Sequence, residues 1–378
     1  MAQGPVRMAF VGCGGCLRIS FGPVLPFVEG LKVVAAVDPN EHALALARDE
    51  YGIPSGYPTL KECLDRERVD AALIAAPVYE HRDLAAECAR HGVHVLLEKP
   101  MARTPVECDE IIEAHRKAGT VLMVAFMKRF NRSMLRVAEL LEEGAIGQVM
   151  GIRHIWDWGG NESARFGPHW RGNRRTWGGQ WQDHGSHSVD LAHWWAGPVH
   201  SVMATFDITE PHWEVDNEYN VICTHVSGVR STHQSTKFFH GEAEERYRIF
   251  GETGTFVLKH TAGVWQHTTP YKVYLYRYGR LRENHQPPFS MNWLEEGKQF
   301  GQYKVELEHF VECVCTQKRP LTDGESGRAV IEVISAAYLS AQERQEVTLP
   351  LTKLPDYETF FEEIVPRIPP RYREEGNA

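Results

Sequence analysis

The chain has 378 residues, 43% of them hydrophobic, enough for a sizeable core and suited to two domains. Its formal charge of −9 leaves no basic surplus for a nucleic-acid surface. A mean hydropathy of −0.37 and the lack of a long apolar run speak against a membrane span. The opening residues, Met1 to Arg7, lack the charged and apolar regions of a secretory signal, and the eight cysteines are scattered. A reduced, cytoplasmic protein is the expectation.

In the first half, strands alternate with helices. Arg7–Gly12, Leu31–Val37, Val69–Ala76, Val93–Leu97 and Val121–Phe126 are short apolar runs that read as buried strands. Helical patterns lie between them. One runs from Glu41 to Tyr51 and is stopped by Gly52; another runs from Arg82 to His91 and is stopped by Gly92. Thr104-Pro-Val-Glu107 is a capping box with proline at the first helical position, and its helix reaches Gly119. This alternation predicts right-handed crossovers and a parallel, doubly wound sheet.

The second half has a different grain. A helix is predicted over Ser133–Glu143, a strand over Val149–Trp158, and a glycine- and arginine-rich loop over Gly159–Gly179. Ser186–Ala196 reads as a helix stopped by Gly197-Pro198. Alternating runs from Val199 to Tyr278 predict an antiparallel or mixed sheet. Val305–Cys315 and Glu325–Ala341 read as helices, the second with Thr322 and Glu325 at capping-box spacing. The proline-rich tail from Pro350 is expected to wrap the surface. The change of pattern puts a domain boundary near Phe126, giving domains 1–126 and 127–378.

The chemistry gathers at a few motifs. Glu98-Lys99-Pro100 ends the Val93–Leu97 strand, where open parallel sheets bind their ligands. Lysine is costly to bury without a partner or a task, so Lys99 is expected at the mouth of a cleft. Gly12-Cys-Gly-Gly15 follows the first strand and Asp38 ends the second. Gly12 would make a tight turn, and Gly14 would let backbone amides approach a pyrophosphate. Asp38 would accept hydrogen bonds from a ribose diol. Its charge, with no arginine in Pro39-Asn40, favours NAD over NADP. Leu17 departs from the fingerprint, which has glycine or alanine there. Cys13 and Cys16 form a C-x-x-C pair, read as packing residues rather than a redox or zinc site.

These motifs form an ordered series with Pro77-Val-Tyr-Glu-His81, Lys128-Arg129-Phe130, Gly144-Ala-Ile-Gly147, Gly178-Gly179, Asp183-His-Gly-Ser-His187 and Gly251-Glu-Thr-Gly254. In this the chain resembles the Gfo/Idh/MocA family of NAD(P)-dependent sugar and polyol oxidoreductases, over nearly its whole length. The resemblance implies an α/β fold: an N-terminal Rossmann sheet, doubly wound and parallel, and a C-terminal α+β domain with a large open mixed or antiparallel sheet. It implies catalytic roles for Lys99, Asp183 and His187. It places Gly12, Gly14, Gly15, Cys16, Asp38, Ala76, Pro77, His81, Glu98 and Lys99 on the cofactor. It also implies a homodimer or homotetramer, with sheet faces paired between subunits.

Oxidising an alcohol removes a hydride from carbon and a proton from oxygen. A nicotinamide takes the hydride. Histidine is the base best matched to neutral pH, so His187 is assigned as general acid/base. Lys99 would hydrogen-bond the reacting hydroxyl and stabilise developing negative charge. Asp183 would orient the substrate or tune the other two. Lys128, Arg129, Trp158, Arg171, Arg174, Trp177 and His184 join Asp183 as expected substrate contacts. Tryptophan faces suit a sugar ring, and the arginines suit an anionic group on it. Asp183, His184, His187, Asp190 and His193 crowd together, but hydride transfer needs no metal and none is expected. The partner read from the sequence is a carbohydrate, handled by a dehydrogenase or by a glycosidase that cycles a bound NAD without net redox.

Overall fold

A computed structural model of the chain describes residues 4–157, 170–209, 213–236, 244–261, 271–285 and 301–364. The chain divides into two compact units, Met1–Asn131 with Ser290–Arg328, and Arg132–Phe289 with Ala329–Ala378.

The first unit is built on a six-stranded parallel sheet: β1 (Val6–Val11), β2 (Leu31–Val37), β3 (Ser55–Tyr57), β4 (Ala71–Ile74), β5 (His94–Glu98) and β6 (Leu122–Ala125). The strand order β3-β2-β1-β4-β5-β6 reverses direction between β1 and β4, the switch point where such sheets open a crevice. Helices α1 (Glu41–Tyr51), α2 (Leu60–Arg66), α3 (Val78–Arg90) and α4 (Pro105–Ala118) connect the strands. Met8, Phe10, Leu73, Leu96 and Met123 are buried, as expected of strands covered on both faces. Leu17, where the fingerprint has glycine or alanine, is fully buried in the same core, within a π-helical turn over Cys16–Phe21. Helix α7 (Gln302–Thr316) returns to this unit and adds Leu307 and Phe310.

Helix ends follow local chemistry. Asn40 Oδ1 accepts from the His42 and Ala43 N–H groups at the start of α1, and Gly52 closes that helix in the left-handed region. At α4, Thr104 Oγ1 accepts from Glu107 N–H, while the Glu107 carboxylate turns back to Arg103 N–H, one residue further than a capping box requires. The box expected at Thr322 and Glu325 does not form. Thr322 is buried beside β6, where its hydroxyl donates to Val124 O and its carbonyl accepts from Val124 N–H. Asp323 caps instead, accepting from Ser326 N–H, and helix α8 covers Gly324–Glu343.

The second unit holds a nine-stranded sheet: β7 (Val149–Asp157), β8 (Val199–Asp207), β9 (Glu218–His225), β10 (Arg230–Thr236), β11 (Glu244–Gly251), β12 (Thr255–Thr261), β13 (Lys272–Arg277), β14 (Arg280–Asn284) and β15 (Val347–Thr348). Its order is β14-β13-β12-β11-β7-β10-β9-β8-β15, antiparallel except where β7 meets β10. Helices α5 (Arg132–Glu142) and α6 (Ser186–Ala196) cover one face, burying Met134, Leu191, Trp195, Tyr247 and Phe256. The Gly144–Gly147 and Gly251–Gly254 motifs dock on each other, with Thr253 N–H donating to Ile146 O. The tail from Pro350 is described as far as Ile364, and the remainder of the expected wrap, 365–378, lies outside the described residues. Its described part forms helix α9 (Tyr357–Ile364), which buries Tyr357, Phe360 and Phe361 around Tyr338. Three aromatics on one helical face anchor this stretch of the tail to the second unit.

Candidate active site

In the first unit, four neighbouring strands deliver chemistry at their carboxyl ends. Gly12 follows β1 with φ +94°, and a Cβ there would lie 2.6 Å from Ala75 O, so the close approach of β1 and β4 demands glycine. Gly14 and Gly15 face open space where a side chain would be. Asp38 ends β2. Its Oδ2 accepts from Cys13 N–H at 2.8 Å and its Oδ1 from Asn40 N–H at 2.8 Å, which ties the acidic residue to the glycine loop. Each oxygen keeps a second lone pair for a further donor. An open glycine pair beside an acidic strand end fits a dinucleotide, the glycine loop facing its phosphates and Asp38 a ribose.

Cys13 is buried. Burial, and then the Asp38 charge, push its thiol up to about 12, which removes the thiolate that redox chemistry requires. After β5, Glu98 Oε2 accepts from Lys99 N–H at 2.9 Å, fixing the main chain at the lysine. Glu98 is buried, Lys99 is half-buried, and the following peptide bond to Pro100 is cis.

In the second unit, Asp183 and His184 lie in a π-helical turn, Trp181–Gly185, that runs directly into α6, and His187 lies in the first turn of α6. Asp183 and His187 are both nearly buried, at 4% and 5% exposure. Arg171 Nε donates to Asp183 Oδ2 at 2.5 Å, and the Arg171 guanidinium lies over the Trp170 ring. Gln180 Nε2 donates to His184 Nδ1, so the other ring nitrogen carries the proton, 3.4 Å from Asp183 Oδ2. The His184 ring also lies on Trp156, with centroids 3.6 Å apart.

A second set of groups holds this turn in place. Asp216 is fully buried; its Oδ2 accepts from Trp181 N–H at 2.7 Å and its Oδ1 from Tyr338 O–H at 2.8 Å. Burial drives its carboxyl up to about 7, against the pull of those donors. Gly178 packs so closely that a Cβ would stand 2.1 Å from Arg171 O. Gly179 N–H donates to that same carbonyl. Tyr357 O–H donates to Gly178 O at 2.6 Å, and the Trp177 ring stacks on Tyr357 at 4.2 Å and 9°. Beneath α6 runs a buried line of hydrogen bonds, Ser188 to His233 to Ser231 to His225, ending on Gly197 O.

Both units match family descriptions. Residues 6–126 match the Gfo/Idh/MocA oxidoreductase model, an NAD-binding Rossmann fold, and residues 134–257 match the C-terminal domain model of the same family. The chain belongs to the Gfo/Idh/MocA oxidoreductase family. An uncharacterised oxidoreductase of Synechocystis is 30% identical over 214 residues, an alignment spanning 53% of this chain and 58% of that relative. The D-xylose 1-dehydrogenase (NADP(+)) 2 of Haloferax volcanii is 27% identical over 343 residues, covering 89% of this chain and 99% of that one. The solved aldose-aldose oxidoreductase of Caulobacter crescentus, complexed with glycerol, is 26% identical with a TM-score of 0.77, covering 91% of this chain and 100% of that one. Among the described residues no helix is long and apolar enough to cross a membrane.

The sequence-predicted residues fall into separate groups in this family member. Gly12, Gly14, Gly15, Cys16, Asp38, Ala76, Pro77, Glu98 and Lys99 lie at or just past the carboxyl ends of β1, β2, β4 and β5. Lys128 and Arg129 lie buried in a short 3-10 turn after β6, and Arg129 donates to Leu321 O. Arg171, Asp183 and His184 come together. Arg174 and Trp177 turn to the C-terminal helix, Arg174 pairing with Glu358 and Glu362. Trp158 lies outside the described residues. Asp216, Tyr338 and Tyr357 escaped the sequence reading. Gly178-Gly179, singled out as a motif, was the signal that something packs closely there.

Proposed function

We propose that the protein moves a hydride between a ring hydroxyl of a sugar or cyclitol and NAD. The observation that carries this is the delivery of Asp38, the Gly12–Gly15 loop, Ala76-Pro77 and Lys99 by the adjacent strands β2, β1, β4 and β5. NAD is favoured over NADP because a 2′-phosphate would meet the Asp38 carboxylate, with Pro39 and Asn40 offering no compensating cation. The nicotinamide supplies the hydride acceptor.

The chain's own residues do the rest. Lys99 is proposed to donate a hydrogen bond to the reacting hydroxyl and to stabilise the alkoxide as it forms. His187 takes the hydroxyl proton and returns it in the reverse reaction. Asp183, held by Arg171, orients the substrate ring. With Arg171 on Asp183 and Arg174 on Glu358 and Glu362, both cations already have carboxylate partners. That pairing favours a neutral substrate over an acidic one. Neutral sugars should therefore turn over at least as fast as their uronic acids, and a strong preference for the acids would reverse this assignment.

The open sheet face, carrying Met203 and Ile222 at 50% and 45% exposure, supports pairing of chains as a homodimer or homotetramer. The deciding experiment incubates the protein and NAD with a panel of sugars, cyclitols and glycosides while following NADH and free sugar together. NADH rising in step with oxidised product is expected. Free sugar released with no net NADH would identify the redox-cycling glycosidase instead.

A further inference from the structure

Lys99 can act on a hydroxyl only from a turn that is held in place, and a buried histidine lies against that turn. His81 lies in the first turn of α3 and is 1% exposed. Its Nε2 stands 2.9 Å from Ala76 O, just past the end of β4. Its Nδ1 stands 3.1 Å from Pro100 O and 3.3 Å from Met101 O, in the turn after Lys99. One buried ring thus spans the carboxyl ends of β4 and β5. These contacts occupy both ring nitrogens.

Carbonyl oxygens only accept, so each contact is a hydrogen bond where the ring nitrogen carries a proton. A neutral ring fills one side, and an imidazolium fills both. Burial holds the ring's pKa below the ordinary histidine value, while the facing carbonyls and the Glu107 charge oppose that. The imidazolium hydrogen-bonds Ala76 and the Pro100 turn together, while the neutral ring donates to one of them and packs against the other.

We propose that His81 is a positioning residue: it clasps the Ala76 carbonyl to the Pro100 turn and thereby fixes the direction in which Lys99 leaves the sheet. The sequence placed His81 on the cofactor; the clasp gives it a role that reaches the cofactor site through the main chain. This rests on the proposed role of Lys99, but it can be tested without turnover.

The test compares wild type with His81→Met, which fills the space without a donor, and His81→Gln, which keeps an N–H donor for one side. Each lysine is labelled with limiting acetic anhydride and quantified by peptide mass spectrometry. Lys99 labelling should change several-fold in the Met variant and by an intermediate amount in the Gln variant, with exposed Lys61 and Lys117 unchanged. With a working substrate, kcat should fall, and by more in the Met variant than in the Gln variant. Wild-type labelling of Lys99 in either folded variant would overturn the clasp, and the Gln variant decides alone if the Met variant does not fold. Should the wild type reduce no NAD with any polyol while Lys99 labelling still responds, the functional reading fails and the clasp stands.

Discussion

At the carboxyl ends of β2, β1, β4 and β5, the first unit delivers Asp38, Gly12, Pro77 and Lys99 through strand geometry, with Cys13 N–H donating to the Asp38 carboxylate and Lys99 N–H to the Glu98 carboxylate beside it. The second unit holds Asp183 differently. Its π turn is fixed by Arg171, Asp216, Tyr338 and Tyr357, drawn from segments far apart along the chain. A site made from parallel strand ends draws its positions from the sheet ladder and from side chains lodged beside it, such as His81. A site hung from a side-chain network feels the loss of any distant member.

Four substitutions test that contrast. Lys99→Met should lower turnover by roughly a thousandfold, the scale of a lost transition-state hydrogen-bond donor, while leaving NAD affinity within about twofold. Steady-state rates and a fluorescence titration of NAD check both halves; unchanged turnover would remove Lys99 from the chemistry. Gly178→Ala places a methyl group 2.1 Å from Arg171 O and must displace the arginine that holds Asp183. A loss of about a hundredfold in kcat is expected, as for a reacting group misplaced by about 1 Å, with NAD binding intact. Equal damage to NAD binding would show that the two units do not fail separately.

Asp216 gives the contrast a pH signature. Its folded value of about 7 lies above the ordinary carboxylate value of 3.8. The native state therefore holds the proton more tightly than the unfolded chain. The stability it contributes is complete below pH 3.8 and is lost as pH rises through about 7. In Asp216→Asn the amide oxygen can still accept from Trp181 N–H, while its NH2 donates to a turned Tyr338 hydroxyl. That variant should lose this decline, its melting temperature falling several degrees less than wild type between pH 5 and pH 8, roughly as expected for a shift of 1–2 kcal/mol. Parallel melting curves across that range would refute the assignment. Trp177→Ala, which removes the stack on Tyr357, should cost about 1 kcal/mol beyond lost burial and loosen the C-terminal helix. Hydrogen exchange of residues 357–364 reads this directly, and unaltered protection there would count against a stabilising role for the stack.

The same contrast explains what could be read from sequence. Helices Glu41–Tyr51 and Ser186–Ala196 have the limits expected of them, because Gly52 and Gly197 are local stop signals. The strands of the parallel sheet were legible because burial on both faces leaves uninterrupted apolar runs. Ser55–Tyr57 and Leu60–Arg66 were not, being too short to show a period. Thr322 misled because its capping hydroxyl is taken by the edge of β6, a tertiary contact that no spacing rule contains. Asp216 carries no local mark of its role: it caps a turn 35 residues away, and only Gly178-Gly179 hinted at the crowding. Arg174 and Trp177 suited a sugar by type, but the C-terminal helix supplies carboxylates and a ring that suit them as well.

The most direct measurement uses a substrate sugar or cyclitol deuterated at the carbon of its reacting hydroxyl, with NAD, in wild type and Lys99→Met. Mass spectrometry of the recovered cofactor should find one deuterium per oxidised product in the wild type and almost none in the variant over the same time. Product formed with no deuterium in the nicotinamide, or equal transfer by both proteins, would contradict Lys99-assisted hydride transfer.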